Sequence, residues 1–313
     1  MPVFRIIVLG SMLALAGCGG EDIANCGALR RSAPERALEH CNRALGSRLV
    51  WSKEKARARL DRGTLFSDRE DWDAAIADFS RALDSGKLTP RLLVVVYYDR
   101  GSARLHKGEL DAGIEDLDEA IRLDSLYADA YSNRALAQRM KGQFEQALAD
   151  ANAALKITPR HARALVQRGA TYLLLGDGPK ALADLDQAIG LEPGLQAAWN
   201  IRGLLRRASR DWDGALADFD QAVKLRPRDA GALRNRASVL ALKRDFDRAL
   251  ADLERAIDFD PKAADGFNLR GSVRLERNQL DAAIADFDRA LALNPKHAPA
   301  LANREAALTR AAK

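Results

Sequence analysis

The chain has 313 residues, with 49 Lys+Arg against 44 Asp+Glu and a formal net charge of +5. That excess is small and the charges are interspersed, which argues against nucleic-acid binding driven by long-range attraction. Length alone would suggest about two domains, while the low aromatic content (6%) and abundant Ala fit packed helices better than sheets.

At the N-terminus, Met1 to Arg5 is a short basic region and Ile6 to Ala16 an apolar run of signal-peptide length, too short to span a bilayer comfortably. It ends in Leu15-Ala16-Gly17-Cys18, which resembles a bacterial lipobox. The resemblance implies a signal peptide over 1–17, cleavage before Cys18, and lipid on that Cys. The alternative is an ordinary cleaved signal or a misassigned start. Bacterial lipoproteins carry more than one acyl chain, and several chains hold far more firmly than one. Gly19 stands where some lipoproteins carry an inner-membrane retention Asp, so the resemblance favours the outer membrane. Residues 18–29, with Gly19-Gly20-Glu21-Asp22, read as lipidated Cys and short flexible tether.

Cys26 and Cys41 are the other cysteines. Outside the cytoplasm such a pair is expected to oxidise. Cys41 falls in register with Phe79, Leu117, Leu185, Phe219, Leu253 and Phe287, so it should face the inside of a helix pair. The alternative is a buried free thiol beside a disordered one.

From residue 56 onward the chain repeats. An Arg precedes an Asp by sixteen residues in Arg62/Asp78, Arg100/Asp116, Arg134/Asp150, Arg168/Asp184, Arg202/Asp218, Arg236/Asp252 and Arg270/Asp286. The pairs recur about every 34 residues, and Arg304 follows Arg270 by 34. Seven units span 56–297, the first with four extra residues around Ser85–Pro90. Residues 30–55 supply a partial unit and 298–313 a final half unit. Each unit predicts two helices. Pro159, Pro193, Pro227, Pro261 and Pro295 end the second helices, and Gly108, Gly142 and Gly176 sit between the two. Small residues follow the Arg (Gly63, Gly101, Ala135, Gly169, Gly203, Ala237, Gly271) and recur in the second helix, as at Ala147 and Ala154. Helices carrying them can approach closely.

These columns resemble the tetratricopeptide repeat (TPR), a 34-residue helix–turn–helix unit. The resemblance implies an all-α fold: a right-handed α-solenoid of about seven full repeats, an N-terminal partial repeat and a C-terminal capping helix. Gly178-Pro179 departs from the aromatic-acidic start of other second helices, such as Trp212-Asp213, and predicts a loose or kinked turn there. Glu305, in a small-residue position, suits a solvating cap. The apolar run Leu92–Tyr98 reads as extra core packing or as a self-association patch.

The four His have no metal-ligand spacing, and neither a phosphate-binding Gly loop nor a nucleophile elbow occurs. No cofactor or metal is expected, and the chain reads as a non-enzyme. The Arg/Asp columns read as structural pairs. Arg304 has no Asp after it, whereas Asp286 precedes it by eighteen residues. That spacing predicts pairing between successive repeats, linking Arg100, Arg134, Arg168, Arg202, Arg236, Arg270 and Arg304 to the Asp of the unit before.

In stacked helix pairs the first helices line a concave groove. Helical register places Tyr98, Asn133, Met140, Gln167, Leu173, Leu174, Asn200 and Asn235 there. Apolar contacts with scattered amides suit an extended peptide or partner helix. The carboxylate clamp of chaperone-docking TPR proteins does not occur. The leading expectation is a lipid-anchored periplasmic scaffold of the bacterial cell envelope, binding protein and not nucleic acid. The alternatives are a structural component binding glycan or peptidoglycan, or a part of an outer-membrane assembly or secretion complex.

Overall fold

Apolar residues spaced three and four apart make each half-repeat a helix, and Asp71, Asp177, Asp211, Asp229 and Asp245 are among the side chains that cap them. The computed structural model describes residues 20–312, so Cys18 and the signal-like segment lie outside the described residues. Every regular element among the described residues is helical. The chain divides into two compact units at Pro159/Arg160.

The first unit contains α1 (20–28), α2 (Pro34–Gly46), α3 (Ser52–Asp68), α4 (Trp72–Asp84), α5 (Pro90–Lys107), α6 (Leu110–Leu123), α7 (Ala128–Met140) and α8 (Phe144–Ile157). The expected flexible tether is corrected here: from residue 20 the chain is helical. Asp22 is held by His40 Nδ1 at 2.7 Å and Arg43 Nε at 3.0 Å. A disulfide joins Cys26 to Cys41, both fully buried. The N-terminal partial unit is therefore a helix pair with a shortened first helix.

In α5 the run Leu92–Tyr98 is divided between two cores. Leu92, Val95 and Val96 pack with Phe79 and Leu60, whereas Val94, Tyr97 and Tyr98 pack with Leu117 and Leu105. Core packing thus accounts for the run apart from Leu93.

The second unit contains α9 (Ala162–Leu174), α10 (Gly178–Leu191), α11 (Gln196–Ala208), α12 (Trp212–Leu225), α13 (Ala230–Leu242), α14 (Phe246–Phe259), α15 (Ala264–Glu276), α16 (Leu280–Leu293) and α17 (Ala298–Ala311). The predicted kink at Gly178-Pro179 is absent. Asp177 caps the Lys180 amide, and Pro179 occupies the first turn of α10, where its missing N–H costs nothing. Gly176 supplies the left-handed turn (φ 80°). At the equivalent turns Glu70, Arg210, Arg244 and Asn278 adopt φ of 58–64°, so the conformation is set by the hairpin and not by glycine alone. Glu305 is exposed on α17, while Ala300 and Ala307 are buried.

Close helix approach explains the small-residue columns. A Cβ on Gly63, Gly203 or Gly271 would lie 2.6–2.7 Å from the ring of Phe79, Phe219 or Phe287. Gly101 and Gly169 face Leu117 and Leu185, where a Cβ would lie 3.1 Å from the Leu Cγ, whereas Ala237 packs with Leu253.

Candidate functional site

The recurring Arg is fixed within its own hairpin. Arg134 Nε and Nη2 each donate at 2.7 Å to Asp150, and the same fork joins Arg62–Asp78, Arg100–Asp116, Arg168–Asp184, Arg202–Asp218, Arg236–Asp252 and Arg270–Asp286. These Asp side chains are buried. A second guanidinium donates a hydrogen bond to the same carboxylate: Arg104 to Asp116, Arg206 to Asp218 and Arg274 to Asp286.

The prediction that the pairs run between repeats is corrected by this geometry. A sixteen-residue spacing spans one antiparallel hairpin, so the nearer carboxylate is in the same unit. Repeats are nevertheless bridged by the remaining guanidinium nitrogen, through a different column. Arg134 Nη1 donates to Asp118, Arg202 Nη1 to Asp186 and Arg236 Nη1 to Asp220. Arg304 uses Asp288, not Asp286. Where acid is absent, Asn42 serves Arg62 and Ser80 serves Arg100. Bidentate binding to Asp leaves Nη1 for the neighbour, which only an Arg fork permits. Burial partly offsets this binding, yet the bond to Asp150 dominates and holds the Arg134 guanidinium well above its ordinary range.

The predicted groove residues separate into three groups. Tyr98 is turned into packing, edge-on to Tyr127 with ring centroids 5.0 Å apart, and Leu173 packs beside Leu185 and Leu205. Asn133 donates to Ser102 and Asn235 to Asn200, at 2.7 and 2.9 Å. These amides stitch one first helix to the next, as Asn303 does with Asn268. Met140 and Leu174 are exposed and Gln167 is half-buried.

Clefts open elsewhere along the first helices. In the first unit a cavity of about 540 Å³ lies between α3 and α5, lined by Leu60, Leu92 and Val95 with Arg30, Arg57, Arg91 and Asp99. Burial pushes the Asp99 carboxyl up to about 7; Arg30 opposes the shift and Asp68 adds to it. In the second unit two adjoining cavities of about 480 and 490 Å³ share Ser238 and Leu269 between α13 and α15. One end is apolar, with Leu242, Phe246 and Val273. The other is polar, with Arg207, Arg234, Asn235, Asp265 and Asn268. Only Asn235 of the predicted set lines this cleft. Leu242 lies in the same 34-residue register as Met140 and Leu174, so extending that column would have found it.

Among the described residues no cluster of His, Cys, Asp and Glu could hold a metal ion, and no helix is long and apolar enough to cross a membrane.

Antiparallel helix pairs joined by one Arg–Asp fork per unit define an all-α helical-repeat scaffold. Models of the tetratricopeptide repeat match residues 26–90, 98–162 and 134–196, then 201–266, then 264–297. The chain belongs to the tetratricopeptide repeat family, whose members bind proteins or peptides and are generally non-catalytic scaffolds. Among solved structures it is similar to a tetratricopeptide repeat protein from Parabacteroides merdae, at 22% identity and a TM-score of 0.58, over 82% of this chain and 99% of that one. Pseudomonas aeruginosa pilF matches at 18% identity and a TM-score of 0.57, over 68% of this chain and 96% of that one. Yeast Tom70 matches at 18% and 0.59, over 93% of this chain and 64% of that one. At these identities the likeness is one of fold. No curated protein sequence matches the chain.

Proposed function

We propose that the protein is a lipid-anchored scaffold on the periplasmic side of a bacterial membrane, with the outer membrane favoured, holding an extended segment of a partner protein against its first helices. The observation that carries the binding mode is the α13–α15 cleft. Its apolar end, at Leu242, Phe246, Leu269 and Val273, adjoins a polar end of Asn and Arg side chains. An extended peptide needs both: pockets for alternate side chains and partners for its backbone amides. The lipid anchor is supported by the lipobox-like Leu15–Cys18 at the close of an apolar run. The Cys26–Cys41 disulfide is in keeping with an oxidising compartment.

The two parts are tested separately. A photo-crosslinking side chain at Leu242 in intact cells should give a discrete protein adduct, and one at the exposed Asp258 of α14 should not. Equal labelling from both positions, or retention on isolated murein with no protein adduct, overturns the groove reading. Labelled fatty acid should enter the wild type but not Cys18→Ser, and failure to label removes the anchor alone.

A further inference from the structure

The loop between α2 and α3 exposes apolar side chains that the hairpin could have buried. Val50 is 7% exposed, whereas Leu49 and Trp51 are 57% and 78% exposed. The backbone is extended at Ser47 (ψ 134°) and Trp51 (ψ 161°), with a bend over residues 48–50 between them. Buried Val50 pins the loop, and Leu49 and Trp51 on either side of it are left facing solvent. Arg48 and Lys53, their near neighbours in the chain, are exposed. Trp beside basic residues suits the headgroup level of a membrane: the ring is apolar with one donor, and the cations meet anionic lipid.

The loop's position supplies the occupant. Residues 29–33 form a short turn, so α1 runs antiparallel to α2, and Asp22 near the start of α1 meets Arg43 near the end of α2. The first described residues of α1 thus lie at the end of the hairpin from which the 47–51 loop leaves. Gly20 is two positions after Cys18.

We infer that Leu49 and Trp51 insert into the interface of a phospholipid leaflet beside the N-terminal lipid, with Arg48 and Lys53 on its headgroups, so that the anchor holds the N-terminal hairpin in a fixed orientation. The inference rests on the lipid-anchored reading above. Two side chains bind a bilayer weakly by themselves, but the tether raises their effective concentration at the surface.

The test uses the full chain as purified from membranes, reconstituted in phosphatidylcholine–phosphatidylglycerol vesicles with brominated acyl chains. Bromine should quench part of the tryptophan emission. Trp51→Ala should abolish that component, with Trp72, Trp199 and Trp212 as internal references. Leu49→Trp in the Trp51→Ala background should restore it, with helical circular dichroism equal to that of the wild type. Flotation with vesicles but equal quenching in wild type and Trp51→Ala overturns the loop contact and leaves the anchor standing. Trp51-dependent quenching in protein that incorporates no fatty acid supports the contact and removes the anchor. Neither flotation nor quenching overturns both.

Discussion

Gly203 on α11 faces Phe219 on α12 so closely that a Cβ at Gly203 would sit 2.7 Å from the ring. The pair sets the helix separation in that hairpin, and the register elsewhere combines Ala237 with Leu253. Gly203→Ala gains helix propensity worth about 1 kcal/mol and loses about 1–3 kcal/mol to overpacking. A net loss is expected, read as a lower urea midpoint. In a Phe219→Leu background the same substitution should be neutral or stabilising. A loss of equal size in both backgrounds would show that the ring is not the cause.

Asp218 is 1% exposed and holds both Arg202 and Arg206. Removing it leaves Arg202 with only the exposed Asp186 as a carboxylate partner and Arg206 with only the more distant Asp211, so Asp218→Ala should cost about 3–5 kcal/mol. Asp288, exposed and paired with Arg304, should cost only about 0.2–1 kcal/mol by the same substitution. Chemical denaturation of both variants ranks them, and comparable losses would refute the distinction between fork and bridge.

Asp99 gives the stability a pH dependence. Its carboxyl is raised from the ordinary 3.8 to about 7, chiefly by burial. A group with a raised folded pKa binds its proton more tightly when folded. Its stabilising contribution is therefore present below pH 3.8 and is lost as the pH rises toward 7. Asp99→Asn should raise the melting temperature at pH 8 and change it little at pH 4. A gain that is the same at both pH values would remove Asp99 as the cause.

The period, the helix pairs and the family were legible because seven units agree in register. The partner of each Arg was not. Spacings of sixteen and eighteen residues both lead to an Asp, and only the hairpin's close approach selects Asp150 over Asp116 for Arg134. The groove was legible as a surface and poorly as residues. Helical register places Tyr98 and Leu173 on the first helices, but whether such a side chain packs or projects depends on its neighbours in space. Asn200 and Asn235 were recognisable as polar positions, yet sequence does not reveal that they bond to each other. Gly178-Pro179 misled because Pro is read as a breaker, while in the first turn of α10 it fits.

The Cys26–Cys41 bond closes a sequence separation of 15, a loop worth about 3 kcal/mol by chain entropy. It staples α1 to α2, far in sequence from the last repeats. Cys41→Ser should raise amide exchange in residues 20–46 and leave α13–α17 unchanged, because stability in repeat proteins is summed from neighbours. Exchange that rises uniformly along the chain would contradict this.

Leu269 is shared by the apolar and polar ends of the α13–α15 cleft. A charge there strikes the centre of the surface, and because Leu269 is half-buried against the cluster of Ala237, Leu240 and Val273, the unfolding midpoint of the variant is measured beside its binding. Leu269→Arg should therefore weaken capture of the crosslinked partner at least about tenfold, which corresponds to about 1.4 kcal/mol. Asn235→Leu removes a bond to Asn200 and a polar group of the cleft together, so it should weaken binding and also lower stability slightly. Arg304→Gln, remote from the cleft, should leave affinity unchanged. Titration of the three variants against a peptide from the crosslinked partner separates these outcomes, and full affinity in Leu269→Arg would exclude the cleft as the binding surface.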